Sequence, residues 1–180
     1  MLTVLQMVKL YDSLVQPHFD YCSSLWGNCG TVLRNKLQKL QNRAARIITS
    51  SGYEIRSADI LSFLGWHDLD TRRKQQKCTL MYKIMNNIAP SYLTELFVPV
   101  NETHSHNLRC SDINLKVPQP HPDYLKRSLS YSGALLWNSI PSTIRNLDNI
   151  KNFSMIVCNS FYKYFICFYF YINVYNHDFF

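Results

Sequence analysis

The stretch from Thr31 to Ser51, TVLRNKLQKLQNRAARIITSS, constrains the fold more than any other part of this chain. At about 100° per residue, Leu33, Leu37, Leu40, Ala44, Ile47 and Ile48 fall on one side of a helix, the i, i+3, i+4, i+7 pattern of a face turned to a core. Thr31 is placed to cap the first amides, Gly52 to terminate the helix in a left-handed conformation, and Arg46 to meet the negative end of the dipole. Beside the apolar face, Lys36, Lys39, Arg43 and Arg46 recur at steps of three, four and three, with Arg34 off to the other side and no carboxylate in the segment. A solvated face usually mixes Glu with Lys, whereas an unrelieved cationic row suits a polyanion such as a nucleic-acid backbone. Both readings stand at this level.

The flanking sequence predicts more helices. Leu2 to Gln16 is amphipathic, with Val4, Leu5, Met7, Val8, Tyr11, Leu14 and Val15 on one side, and Pro17 is expected to close it. A short helix to about Trp26 follows, broken by Gly27 and Gly30. Ser57 to Leu64 is a further helix ending at Gly65, and Asp68 caps a longer one to about Asn87. That helix carries Arg72, Arg73, Lys74, Lys77 and Lys83 scattered around its circumference; Arg72, Arg73 and Lys77 form a second, weaker nucleic-acid candidate. Ser91 to Phe97 reads as a brief helical turn, and a polar stretch over 99–122 as a long loop or a short extended arm, because Ile113, Leu115 and Val117 alternate. Ser132 to Ser139 is a helix burying Leu135, Leu136 and Trp137 and stopped by Pro141, and Ile144 and Leu147 begin a last helical signal.

The expected fold class is therefore mainly α: a small helical bundle over 1–152, followed by an irregular aromatic tail over 153–180. That tail, crowded with Phe and Tyr, has three readings: a membrane-inserted segment, an aggregation-prone extended tail, or a non-native ending from a misread coding sequence. Its least interrupted apolar run, Tyr164 to Ile172, falls far short of a spanning length, so membrane insertion is not expected. Removing everything after Lys151 should then leave the helical core intact.

With 180 residues and 47% hydrophobic content the chain can build a core, and its net charge of +7 favours acidic partners. No G-x-G-x-x-G and no G-x-x-x-x-G-K-[ST] occurs to hold a nucleotide, and no cofactor or small-molecule substrate is expected. The six cysteines form no C-x-x-C pair. With an opening that has neither a basic leader nor a small-residue cleavage site, they point to reduced thiols in an intracellular protein, cytoplasmic or nuclear and not secreted. His104, His106 and Cys110, with Cys78 or His121 as a fourth ligand, outline only a partial metal site, and no metal is expected. His18, Asp20 and Cys22 lack an orienting partner for nucleophilic catalysis. Asp68 and Asp70, the close acidic pair, suit a helix start better than a two-metal centre. The chain is not expected to be an enzyme.

The runs LYDSLVQPHFDYCSSLWG, LQKLQNRAARIITS, LGWHDLDTRRKQQKCTLMYKIMNNIAPSYL, HNLRC and RSLSYSGALLWNSIPSTIR, in this order and spacing, resemble the region downstream of the polymerase core in non-LTR, LINE-type (jockey-like) retrotransposon reverse transcriptases, over about Leu5 to Phe153. The resemblance implies a thumb and post-thumb helical region that grips template RNA and the primer duplex behind the active site, with the LQKLQNRAARI cations on or near the nucleic acid. The family's paired catalytic aspartates and its endonuclease domain have no counterpart here. The resemblance thus implies a fragment of an RNA-directed DNA polymerase whose own residues contact RNA or an RNA–DNA duplex without carrying out the polymerase reaction. A helical protein-interaction domain and a tail-anchored membrane protein are the alternatives.

Overall fold

The computed structural model describes residues 2–102, 114–119 and 123–158. Among these the fold is mainly helical, as expected. In place of one region over 1–152 the chain forms two compact units: Met1–Lys77 with Pro122–Leu129, and Cys78–His121 with Ser130–Phe180.

In the first unit, α1 (Val4–Leu10) opens on a capping box, in which Thr3 and Gln6 each accept the other's backbone N–H. Pro17 does not close the helix. A π-helical turn, Tyr11–Val15, carries the chain into α2 (Gln16–Asp20), and the N–H of Gln16 reaches back to the Tyr11 carbonyl. Pro17, which has no N–H to donate, then sits in the first turn of α2, where none is required. The wide turn also shifts the helical register. Leu5 and Leu14 stand 65% and 64% exposed, while Tyr11, Gln16 and Phe19 are buried. Cys22 takes a left-handed conformation ahead of α3 (Ser23–Trp26).

The helix α4 spans Thr31–Thr49. Its N-cap is Gly30 rather than Thr31, and Ser50, at φ 50°, supplies the left-handed terminus expected of Gly52. Its buried arc is rotated by roughly 70° from the one the apolar pattern predicts. Leu37, Ala44 and Ile48 do face the core, but Gln41 and Ala45 lie at its centre and Leu33, Leu40 and Ile47 stand mostly exposed. Two glutamines explain the rotation. Gln38 Oε1 accepts the Leu69 N–H at 2.9 Å, and Gln41 Nε2 donates to the His67 carbonyl at 3.0 Å. Leu69 opens α6 (Leu69–Met85), whose first amides have no partner within the helix, so a polar side chain gains more at that spot than a leucine would.

Around this junction Tyr11, Phe19, Ile48 and Leu69 form the core with Met7, Val8, Leu37, Ala44, Leu64 and Trp66. Ile60 and Leu61 of α5 (Ser57–Phe63) pack on Ala45 beside it. Gly65, at φ +68°, ends this segment as predicted, and Asp68 caps α6 through the Thr71 N–H and hydroxyl at 2.9 and 2.8 Å.

The second unit contains the later half of α6, α7 (Ser91–Thr94), most of α8 (Leu129–Ser139) and α9 (Ser142–Arg145). Of the stretch over 99–122, read from sequence as a long loop or a short extended arm, residues 103–113, with Ile113, and 120–122 lie outside the described residues; the described part holds an isolated antiparallel bridge between Pro99 and Leu115, flanked by backbone bonds from Val100 to Asn114 and from Lys116 to Val98. Asn138 clamps Leu115 from both sides, accepting its N–H at 2.9 Å and donating to its carbonyl at 2.8 Å. Trp137 is buried as expected, but Leu135 is 44% exposed. The boundary expected at 153 falls inside a helix over 150–158. Phe153 is fully buried, its ring 4.4 Å from Tyr82 and 6.2 Å from Trp137 between centroids, and Val157 is buried as well. The remaining aromatic run, from 159 onward, lies outside the described residues.

Among the described residues no helix is long and apolar enough to cross a membrane. Cys22, Cys29, Cys78 and Cys158 form no disulfides with one another.

Candidate nucleic-acid interface

Lys36, Lys39 and Arg43 are exposed on the side of α4 opposite Gln41, Ala45 and Ile48, and none makes an ion pair among the described residues. Rotation of the buried arc accounts for their position: turning the helix about its axis moves the cationic row to the middle of the solvent side. The same turn leaves Leu33, Leu40 and Ile47 beside them at heptad spacing, 55%, 56% and 63% exposed. No carboxylate in α4 offsets the charge.

Arg46, the fourth member of the row, is engaged within the chain. Its guanidinium donates to the Gly52 carbonyl, to the Ile55 carbonyl at 2.7 Å and to Ser57 Oγ at 3.1 Å, and lies over the Tyr53 ring. It ties the loop after α4 to the start of α5. Replacing it with Gln removes charge-assisted hydrogen bonds and is expected to destabilise the chain by about 1–3 kcal/mol, measurable as a lowered urea midpoint.

The second candidate cluster points inward. Arg72 holds Asp20 through two parallel bonds, Nε–Oδ1 at 2.8 Å and Nη2–Oδ2 at 2.7 Å. Burial by itself would raise the Asp20 carboxyl, but bonds from Arg72, Gln76 and Gln16, with the Arg72 charge, hold it below the ordinary carboxylate value. Lys77 donates to Asn28 Oδ1 at 3.0 Å and is buried. Arg73 is buried too, with its guanidinium 5.2 Å from the Trp26 ring centroid. Arg72 and Lys77 thus tie α6 to the segment around α2 and α3, and Arg73 is enclosed beside Trp26.

Of the other candidates, Asp20 is committed to Arg72, which leaves exposed His18 and Cys22 without the carboxylate a catalytic arrangement would use. His104, His106, Cys110 and His121 lie outside the described residues, and no group of metal-ligating side chains occurs among the described ones.

A cleft of about 330 Å³ beside the start of α4 has no place in the sequence-level reading. It is lined by Thr31, Arg34, Asn35 and Gln38 of α4, and by Asp68, Asp70 and Arg73 at or near the start of α6. Arg34 Nη1 meets Asp70 at 3.4 Å, and Asp70 meets Lys74 at 2.8 Å. Only the crossing of two helices some forty residues apart in sequence brings these groups together.

Compared with family models, with curated proteins and with solved structures, the chain has no match.

Proposed function

We propose that this chain is a nucleic-acid-binding module, the thumb-side remnant of a non-LTR retrotransposon reverse transcriptase, which contacts the backbone of RNA or an RNA–DNA duplex without polymerase chemistry of its own. One observation carries the reading: Lys36, Lys39 and Arg43 share the solvent side of a helix that contains no carboxylate, and none is paired among the described residues. Such a row neutralises successive phosphates and releases their counterions. The sequence resemblance to the region behind the polymerase core supports the same reading. Arg46, Arg72 and Lys77, each hydrogen-bonded within the fold, are not among the cations this reading uses.

The test is affinity for a short single-stranded RNA across a salt series. Lys36→Gln, Lys39→Gln and Arg43→Gln together leave the buried arc untouched and keep helix propensity nearly constant. The triple variant is expected to lose about 0.7 of log–log slope per cation, roughly 2 units in all, with little dependence on sequence. Arg46→Gln is expected to change the slope much less than it changes stability. A triple variant that stays folded by circular dichroism and keeps the parent slope would refute the interface. The exposed Leu33, Leu40 and Ile47 would then favour the other reading, a helical interaction domain for an acidic amphipathic helix.

A further inference from the structure

Arg73 is the most anomalous charge in the first unit. It is 6% exposed, its Nε and Nη1 are enclosed without a hydrogen-bond partner, and no carboxylate pairs with it among the described residues. The Trp26 face below it is a cation–π contact and supplies no acceptor. A buried cation without a counter-charge is costly, and proteins tolerate one where an anion completes the site. Gly27 packs closely here: a Cβ on it would lie 3.0 Å from Arg73 Cδ and closer still to the Ser23 carbonyl, so a side chain at that position would crowd the arginine and the backbone beside it.

Arg73 lines the cleft at the start of α4, and the other groups there point the same way. α4 is 19 residues long and begins with Gly30 as its cap, no side chain accepting its first amides and no acidic residue in its first turn. Those amides and the positive end of the dipole favour an anion. Thr31 adds a hydroxyl to the lining. Arg34 has an enclosed Nε without a partner, and its contact to Asp70 is the longer of the two that Asp70 makes. The two carboxylates in the lining are held by α6 itself, Asp68 by Thr71 and Asp70 by Lys74, which leaves an incoming ligand's oxygens to Arg73, Arg34 and the α4 amides.

We infer that this cleft is an oxyanion site of the phosphate class, completed by Arg73 and Arg34 at the N-terminus of α4. The inference goes beyond the nucleic-acid reading, since it uses none of Lys36, Lys39 or Arg43. The occupant is a phosphate group, carried either by a nucleic-acid backbone or by a small phosphate ester.

Thermal unfolding of the full chain in sodium phosphate, against sodium chloride at matched ionic strength and pH, tests it. Phosphate at ten times its Kd is expected to raise the Tm by about 3–6 °C more than chloride does. Arg73→Met should abolish that difference while leaving the Tm in chloride equal or higher, because it removes an unpaired buried charge; a merely structural arginine would instead lower it. Arg34→Gln should weaken phosphate binding several-fold without unfolding the chain, and it decides the matter if Arg73→Met fails to fold. A wild-type Tm that responds equally to both salts, or a full phosphate response in folded Arg34→Gln and Arg73→Met, would overturn the site. Repeating the titration with excess short RNA separates the sources: a response abolished by RNA assigns a backbone phosphate, and one that persists assigns a free phosphate ester. Because the probe is inorganic phosphate, loss of the α4 cationic interface would leave this result unchanged.

Discussion

Cutting the chain after Lys151 is expected to unfold its second unit rather than trim a tail. The cut removes Phe153 and Val157, and Phe153 is fully buried between Tyr82 and Trp137. Tyr82, itself 1% exposed, donates its hydroxyl to the Leu147 carbonyl, so the ring contact and this hydrogen bond hold the helix over 150–158 and the segment before it to the same side chain. Phe153→Ala isolates the ring's share. Loss of a buried phenyl ring and the cavity left behind cost about 3–5 kcal/mol, a large fraction of the net stability of a unit this size. Urea unfolding followed by tryptophan fluorescence, which includes Trp137, should show a lowered midpoint for Phe153→Ala and loss of the corresponding transition in the truncated chain. A truncated chain with the midpoint of the parent would show that Phe153 contributes nothing to the fold. The expectation drawn from sequence is the opposite, that this truncation spares the core, because composition marks the aromatic run as foreign from its first residue, whereas the helix continues through 158.

Alkaline pH is expected to destabilise the first unit through Tyr11. Its ring is 4% exposed and stacks on Trp66 at 4.2 Å, and its hydroxyl has no hydrogen-bond partner. Burial pushes its pKa from 10.0 up to about 12; Gln41, close by but outside hydrogen-bond geometry, and the Arg72 charge offset only part of this. The folded state therefore holds the Tyr11 proton more tightly than the unfolded state does. The associated stability is complete below pH 10 and lost as the pH rises from 10 toward 12. A rise of that size corresponds to about 2–3 kcal/mol. Tyr11→Phe keeps the ring stack and removes the titrating group. At neutral pH it should match or exceed the parent by about 1 kcal/mol, since it deletes an unpaired buried hydroxyl. Between pH 10 and 12 the parent should lose stability faster than the variant. Taking the difference of the two curves cancels the other tyrosines, and parallel curves would show that Tyr11 does not titrate with folding.

Local signals in the sequence carried far for helix ends. Asp68 caps α6, Gly65 takes the left-handed turn and Pro141 stops α8, because each acts through atoms within a few residues of itself. Helical periodicity likewise marked α4 and the row containing Lys36, Lys39 and Arg43. The direction in which α4 turns lay beyond any such signal, since a burial pattern read from hydrophobicity assigns Gln38 and Gln41 to solvent, and only the start of α6 supplies the backbone groups that make their burial favourable.

The cations show the same division. By composition Arg43 and Arg46 are equivalent, as are Lys39 and Lys77, and all four belong to helices rich in basic residues. Sequence alone determined that the chain is helical, basic and free of carboxylates along α4, since these properties are local or additive. Tertiary structure decided which cations remain available. Arg72 finds Asp20 fifty-two positions away and Lys77 finds Asn28 forty-nine positions away, while the loop after α4 folds back onto Arg46. Whether a charge is displayed or consumed depends on groups distant in the chain, and neither helical periodicity nor net charge carries that information.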